Sequence, residues 1–352
     1  MRRKIRSKSV SERKERGDRM NRQMRFLIPA AGMMLFLPAC IASAAGRQHP
    51  SLTMPAEFPD AALTTASQYR VLLTETGEIA EVPAREYLIG AVAAELPAEY
   101  EYEALKAQAV ASHTYAERIR RQQEAAPDPA LNGADFSDDS SKYQAFYTDA
   151  ELHTLYGDAY DRYYSKIASA VTAVEPLLIC MEDEPIVAAF HAVSDGMTEN
   201  AADIWGQPLP YLVSVSSEAD QTAPQFEETV TIPLASAEQA LRAADPEIVL
   251  PEQGAEWFGE PETTPSGTVL RMRTGNIESD GQKLRELFHL RSACFTVEYC
   301  DGQFRFTTKG YGHGVGMSQY GANMMARSGA TFDQILLHYY SGASIQRCKC
   351  AK

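Results

Sequence analysis

Glu86-Tyr87-Leu88-Ile89-Gly90-Ala91-Val92-Ala93-Ala94-Glu95-Leu96-Pro97 is an apolar run with an acid at each end and a proline behind it. With Pro83 at an allowed first-turn position and Pro97 as a stop, it predicts a helix over Pro83–Leu96. Leu88, Val92 and Glu95 stand at i, i+4 and i+7 and share one face. A carboxyl therefore occupies the last core-facing turn of an apolar stripe. Burial raises a carboxyl pKa, and a raised pKa is what a general acid needs near neutral pH. The alternative is a glutamate at a fraying helix end that reaches water or pairs with Arg or Lys. Glu99 and Glu101, past the proline, read as solvated loop residues.

On either side the pattern mixes strands and helices. Tyr69–Thr74 and Glu78–Val82 read as a hairpin across Glu75-Thr76-Gly77. Glu103–Gln122 is a second helix with an Ala-rich face, and a polar loop follows over Gln123–Ser141. Tyr160–Val174 is helical, and Leu177–Met181, Pro185–His191 and Tyr211–Val215 are strand-like. Gln221–Gly267 is acidic and Pro-rich with one helical piece near Ala235–Ala244, and reads as a solvated elaboration. Strands at Thr268–Thr274 and Ala293–Tyr299 flank a helix at Gln282–Leu290, and Gln303–Thr308 is another strand. Helices over Met317–Ser328 and Phe332–Tyr340 close the chain, the second with a capping box at Thr331-x-x-Gln334. Without βα alternation the fold class is α+β, in two lobes around a substrate cleft, after an N-terminal membrane anchor.

The 352 residues carry a formal charge of −14, distributed unevenly. Residues 1–25 hold eleven Lys/Arg and three acids, residues 26–45 hold no charge, and the remainder carries −22. An acidic body argues against a nucleic-acid partner, whose phosphates need Lys/Arg. Residues 26–45 are long enough for a single membrane span, with the basic arm 1–25 on the cytoplasmic side. A retained anchor, a signal cleaved after Ala42-Ser43-Ala44, and a lipoprotein processed before Cys40 remain open. All three export the acidic body. Residues 46–67, rich in Pro, Ala and Thr, read as a linker, and 68–352 as the extracytoplasmic domain. Cys348-Lys349-Cys350 reads as a loose reduced tail, with a metal half-site as the alternative, and no disulfide framework is expected.

Two further runs draw attention. Gly310-Tyr311-Gly312-His313-Gly314-Val315-Gly316-Met317-Ser318-Gln319-Tyr320-Gly321 has glycine at four alternate positions around a histidine. Such glycines bring backbone close to something, or form a tight structural loop. The spacing is not a dinucleotide fingerprint, and no G-x-S-x-G elbow is present. His191-Ala192-Val193-Ser194-Asp195-Gly196-Met197-Thr198-Glu199-Asn200 places small polar residues after a hydrophobic strand, which suits a cleft or a turn. No HExxH, P-loop or CxxC pair occurs, so a metal or nucleotide cofactor has no support in the sequence.

Together these runs resemble the SpoIID family, the stage II sporulation protein D lytic transglycosylases of peptidoglycan glycan strands. The Glu86–Pro97 run resembles the family's helix ending in its catalytic glutamate, and Ala104–Ala111 its next helix. Tyr143-Gln144-Ala145, Phe190–Asn200, Tyr211-Leu212, Leu284–Ser292 and Gly310–Ala322 follow in family order. The resemblance implies Glu95 as a single acid/base that cuts between N-acetylmuramic acid and N-acetylglucosamine, leaving a 1,6-anhydro ring. It implies Ser194, Gly196, Thr198, Glu199, Tyr311, His313 and Gln319 as substrate-holding residues, and no cofactor. His113 stands eighteen residues after Glu95, where the family has an arginine facing the site, so a titrating group replaces a permanent cation. Ser137 and Tyr143 replace a cysteine pair that holds zinc in some members, so no metal is expected there. The family's partners imply a membrane-anchored cell-wall amidase and a third sporulation membrane protein, at the forespore septum. The rival expectation is a non-catalytic amidase enhancer or glycan-binding scaffold.

Overall fold

The computed structural model describes residues 58–350. The basic arm, the uncharged segment and most of the linker lie outside the described residues. Among the described residues, no helix is long and apolar enough to cross a membrane.

The chain enters through strand β1 (Asp60–Thr65), within the stretch read as linker, then β2 (Gln68–Leu72) and β3 (Ile79–Pro83) form the expected hairpin. Helix α1 (Ala84–Glu95) follows Pro83 directly, and α2 (Tyr102–Ala125) is buried on all sides from Ala104 to Glu117. A helix surrounded on every side needs small residues, which is what the alanines supply. Next come β4 (Phe136–Ser137), α3 (Asp149–Tyr156), α4 (Tyr160–Val174), β5 (Leu177–Met181), β6 (Glu184–Pro185) and β7 (Phe190–His191). The sequence pattern did not reveal α3, although a full capping box between Thr148 and Glu151 starts it. Pro185–His191 is not one strand but ends of two, and Tyr211–Val215 is irregular backbone tied by Thr198 N–H to Val215 O and Ala201 N–H to Leu212 O.

After α5 (Ala201–Trp205) the acidic stretch builds structure of its own. Strand β8 (Glu227–Pro233), helix α6 (Leu234–Ala244) and strands β9 (Phe258–Thr263), β10 (Val269–Thr274) and β11 (Ile277–Asp280) are followed by α7 (Gly281–Leu287), β12 (Phe295–Cys300) and β13 (Gln303–Lys309). Two antiparallel three-stranded sheets, β12–β13–β8 and β11–β10–β9, enclose a second hydrophobic core around Trp257, Phe288, Phe304 and Phe306. The reading of Gln221–Gly267 as a solvated elaboration is therefore corrected: it buries Ala237, Leu241, Ile248 and Trp257 in this core and packs Val230, Ile232 and Phe258 against it.

The chain returns to the first core through β14 (Met317–Ser318), α8 (Gln319–Arg327), α9 (Phe332–Tyr339) and β15 (Ser344–Cys350). Thr331 and Gln334 form the expected capping box of α9. The tail is not loose. β15 sits between β1, to which it is parallel, and β5, to which it is antiparallel, with Cys348 buried. Among the described residues the architecture is mixed α+β with two large hydrophobic cores and a small third cluster of Ala61, Leu63, Leu178, Cys180 and Cys348 on the β1–β15–β5 sheet.

Candidate active site

Helix α1 ends by geometry. Leu96, at the C-cap, is extended, and its N–H closes on Val92 O, which leaves Glu95 on the last helical turn beside Pro97. Gly90 lets this helix approach the loop before α3: a Cβ there would lie 2.1 Å from Tyr147 O. Glu95 is half-buried, and desolvation raises its carboxyl pKa from 4.5 to about 7. Among the described residues Gln319, first residue of α8, is the one side chain bonded to it, donating Nε2–H to Oε2 at 3.3 Å and pulling the pKa the other way.

That amide is itself held. Gln319 Nε2 lies 3.5 Å from Gln108 Oε1, Gln108 donates to Ser112 Oγ at 3.2 Å, and Gln144 donates to the same oxygen at 2.5 Å. Gln108, Ser112 and Gln144 are buried, so a chain of neutral amides and a hydroxyl runs inward from the acid. None of the three stood out as a site residue from the sequence. The available signal was Gln108 and Ser112 at i and i+4, polar within an alanine-rich face.

The two runs flagged by their small residues lie side by side. Val193 and Tyr311 exchange backbone hydrogen bonds at 3.0 and 2.7 Å, Glu199 N–H donates to Gly314 O at 2.8 Å, and β7 pairs with β14 in parallel. The alternate glycines are explained by this pairing. At Gly316 a Cβ would stand 2.1 Å from Ala189 O, and at Gly312, with φ +114°, 2.7 Å from His191 Cβ. Both readings of the run therefore hold: it is a tight loop, and it delivers Gln319 to Glu95.

The other expected residues are mostly committed to the protein itself. Ser194 donates N–H and Oγ–H to Asp220 Oδ2 at 2.7 and 2.6 Å. Gly196 O accepts from Ser217 N–H, and Thr198 Oγ1 accepts from Val215 N–H. Glu199 is buried and accepts hydroxyl bonds from Thr264 and Ser266, tying the first core to the second. Tyr311 lies under the Arg291 guanidinium, 4.6 Å from its ring centroid. His313 accepts Val315 N–H on Nδ1 at 3.1 Å, and burial pushes its pKa down to about 4, so the ring is neutral. The charged neighbours of His113 are Glu117 and Glu175, not Glu95, and its buried Nδ1 has no hydrogen-bond partner among the described residues. One turn position separates it from the face of α2 that carries Ser112. Desolvation of its buried ring lowers its pKa, against the pull of Glu117 and Glu175.

Among the described residues no cluster of three or more His, Cys, Asp or Glu side chains is arranged to hold a metal ion. The family model "SpoIID: Stage II sporulation protein" matches residues 73–180. Stage II sporulation protein D of Bacillus subtilis is 36% identical over 277 residues, 78% of either chain, and that of Bacillus amyloliquefaciens 35% over 276 residues, 78% of this chain and 77% of the other. A Bacillus subtilis protein named amidase enhancer is 25% identical over 73% of this chain and 40% of its own length. The helix that ends in Glu95 lies inside the matched region, and this chain belongs to the SpoIID family of stage II sporulation proteins.

Proposed function

We propose that this protein is a lytic transglycosylase that cuts peptidoglycan glycan strands with Glu95 as its acid and base. The observation that carries the reading is one half-buried carboxyl, raised to about 7 and touched by a neutral amide. Near neutral pH such a group exists in both protonation states, which a two-stage proton shuttle requires. Protonated Glu95 gives its proton to the glycosidic oxygen between N-acetylmuramic acid and N-acetylglucosamine, and the C1–O electron pair leaves with that oxygen. The carboxylate then takes the proton of the muramoyl C6 hydroxyl, whose oxygen attacks C1. The product is a 1,6-anhydro ring, and Glu95 is again protonated. Gln319, bonded to the carboxylate oxygen, favours the ionised form that must appear midway. Ordinary glycosidases need a second carboxylate; this chemistry uses the substrate's own hydroxyl instead.

The same reading places the domain outside the cell membrane during sporulation and engulfment, at the forespore septum, on a single span at residues 26–45. Its support is the charge step from the arm to the uncharged segment, together with family membership. A cell-wall amidase and a third sporulation membrane protein are the proposed partners. A second reading, a non-catalytic enhancer of an amidase, is favoured by the likeness to the amidase enhancer. Mass spectrometry of products released from peptide-free glycan separates them. Anhydromuramic ends from the wild type that vanish in Glu95→Gln are expected. Reducing ends would mean hydrolysis, and no product with amidase acceleration would mean an enhancer.

A further inference from the structure

The chain contains two tryptophans, and they are used in opposite ways. Trp257 is 3% exposed, packs on Phe304 in the second core and donates its indole N–H to Pro251 O at 2.8 Å. Trp205 is 42% exposed and belongs to neither core, although its neighbour Ile204 packs on the first. Among the described residues no acceptor reaches its indole N–H. Yet its position is fixed: α5 stops directly after it, where left-handed Gly206 returns its N–H to Ala202 O. Asn200, before the helix, bonds Asp203 Oδ2 and Ser214 N–H. An exposed indole at a fixed place in the fold, with its N–H unused, has the amphipathic character of tryptophans enriched at binding interfaces.

Its neighbours indicate what binds there. The indole lies 5.4 Å from the His313 ring, and His313 lies 5.8 Å from His191. Gln319 follows His313 by six positions, at most about 21 Å of extended chain. Trp205 therefore sits within the reach of a glycan several sugars long lying across Glu95. Met197 and Val213 are exposed as well, at 42% and 37%, on segments joined through Thr198 and the Met197–Ser216 bridge. Met197 and Val213 thus add exposed apolar surface to the segments on either side of α5.

We infer that the Trp205 indole is a sugar-stacking subsite that takes the C–H face of a pyranose ring of the glycan. The inference rests on the glycan-cleaving reading above. An aromatic face carries negative quadrupole and suits the weakly positive C–H groups of a pyranose, while the indole N–H is available to a ring hydroxyl. His313, neutral, backs the indole and adds a polar edge without charge.

The test uses the full-length Glu95→Gln chain in mild detergent, titrated with peptide-free strands of alternating N-acetylglucosamine and N-acetylmuramic acid. Tryptophan emission is the readout, because only Trp205 is exposed, and Trp205→Ala supplies the Trp257 background. The expected result is a saturable change in emission in the chain that keeps Trp205; isothermal titration calorimetry with the same strands, which needs no indole, should give binding about tenfold weaker in Trp205→Ala and within about threefold of the Trp205 chain in Trp205→Phe. Turnover by the wild type without any Trp205 emission change would overturn the subsite and leave the transglycosylase standing. An emission change with no anhydro product would leave the subsite standing and remove the transglycosylase. Equal loss in Trp205→Ala and Trp205→Phe would overturn the stacking role, since phenylalanine preserves an aromatic face.

Discussion

Replacing Glu95 by glutamine should make the protein more stable at alkaline pH and leave it unchanged at acid pH. The carboxyl pKa is 4.5 when solvated and about 7 in the fold, because burial penalises the charged form. Each pH unit between the two values is worth about 1.4 kcal/mol of folding free energy. The full interval therefore amounts to about 3 kcal/mol, discounted to roughly 2 because the side chain keeps some contact with water. The sign follows from proton uptake. The folded state binds the proton more tightly, so wild-type stability is highest below about pH 4.5, falls as pH rises towards 7, and is level above. Glutamine never ionises, so it carries none of this loss. Chemical denaturation of full-length wild type and Glu95→Gln at intervals from pH 4.5 to 8.5 reads the difference directly. A gap that opens between pH 5 and 7 and reaches about 2 kcal/mol is expected. Parallel curves at every pH would show a solvated carboxyl, and the proton-shuttle argument would lose its physical basis.

Gln319→Leu removes the donor that lowers the Glu95 pKa, so the alkaline limb of the pH–turnover profile should rise by about half to one pH unit, as a long charge-assisted bond is worth about 1 kcal/mol; a limb that falls would refute this. Gly90→Ala pushes a methyl into Tyr147 O and should destabilise the fold by roughly 2 kcal/mol, read by thermal melting, with turnover falling because α1 shifts. His113→Ala should lower stability by roughly 2 kcal/mol yet leave the alkaline limb at the wild-type pH, since the ring faces Glu117 and Glu175. Asp195→Asn should retain anhydromuramic products in the assay that Glu95→Gln fails.

The helix around Glu95 was legible because its information is local: apolar spacing, a proline before and a proline after. The same holds for α4 and β5, whose bounds coincide with the periodic runs. What escaped depended on partners far away in the chain. β1 is a strand because β15 lies beside it, and β15 is one because β1 and β5 flank it. Nothing in Cys348-Lys349-Cys350 announces that pairing. The acidic stretch misled for another reason: its strands are mostly exposed, and the second core takes from them only Val230, Ile232 and Phe258 amid glutamates. At the site, Glu95 could be found from its own helix and Gln319 from the glycine run. Their hydrogen bond joins positions 224 residues apart and has no local signature. His113 was placed by resemblance alone, and its sequence context does not show that its charged neighbours are Glu117 and Glu175.

Among the described residues three carboxyls are pushed up by burial: Glu95, Asp195 and Asp220, the last tied up by the Ser194 N–H and hydroxyl; physical space distinguishes the first two. Asp195 is pushed up to about 6, chiefly by burial, and takes the Met197 N–H at 3.2 Å. The space beside it, lined by Glu199, Cys294, Lys309 and His313, is about 10 Å³. That is room for about one water and excludes a pyranose ring. Glu95 differs on the point that matters. It retains solvent contact, it stands at a helix end, and its shift comes from desolvation opposed by a neutral amide rather than from a neighbouring acid. A pair of carboxylates that share a cleft raise one another's pKa and divide the roles of acid and base. Among the described residues no neighbouring acid raises Glu95, so a base for water would have to come from elsewhere. A nucleophile supplied by the sugar itself removes that requirement, which is why the one-acid reaction fits this carboxyl better than hydrolysis does.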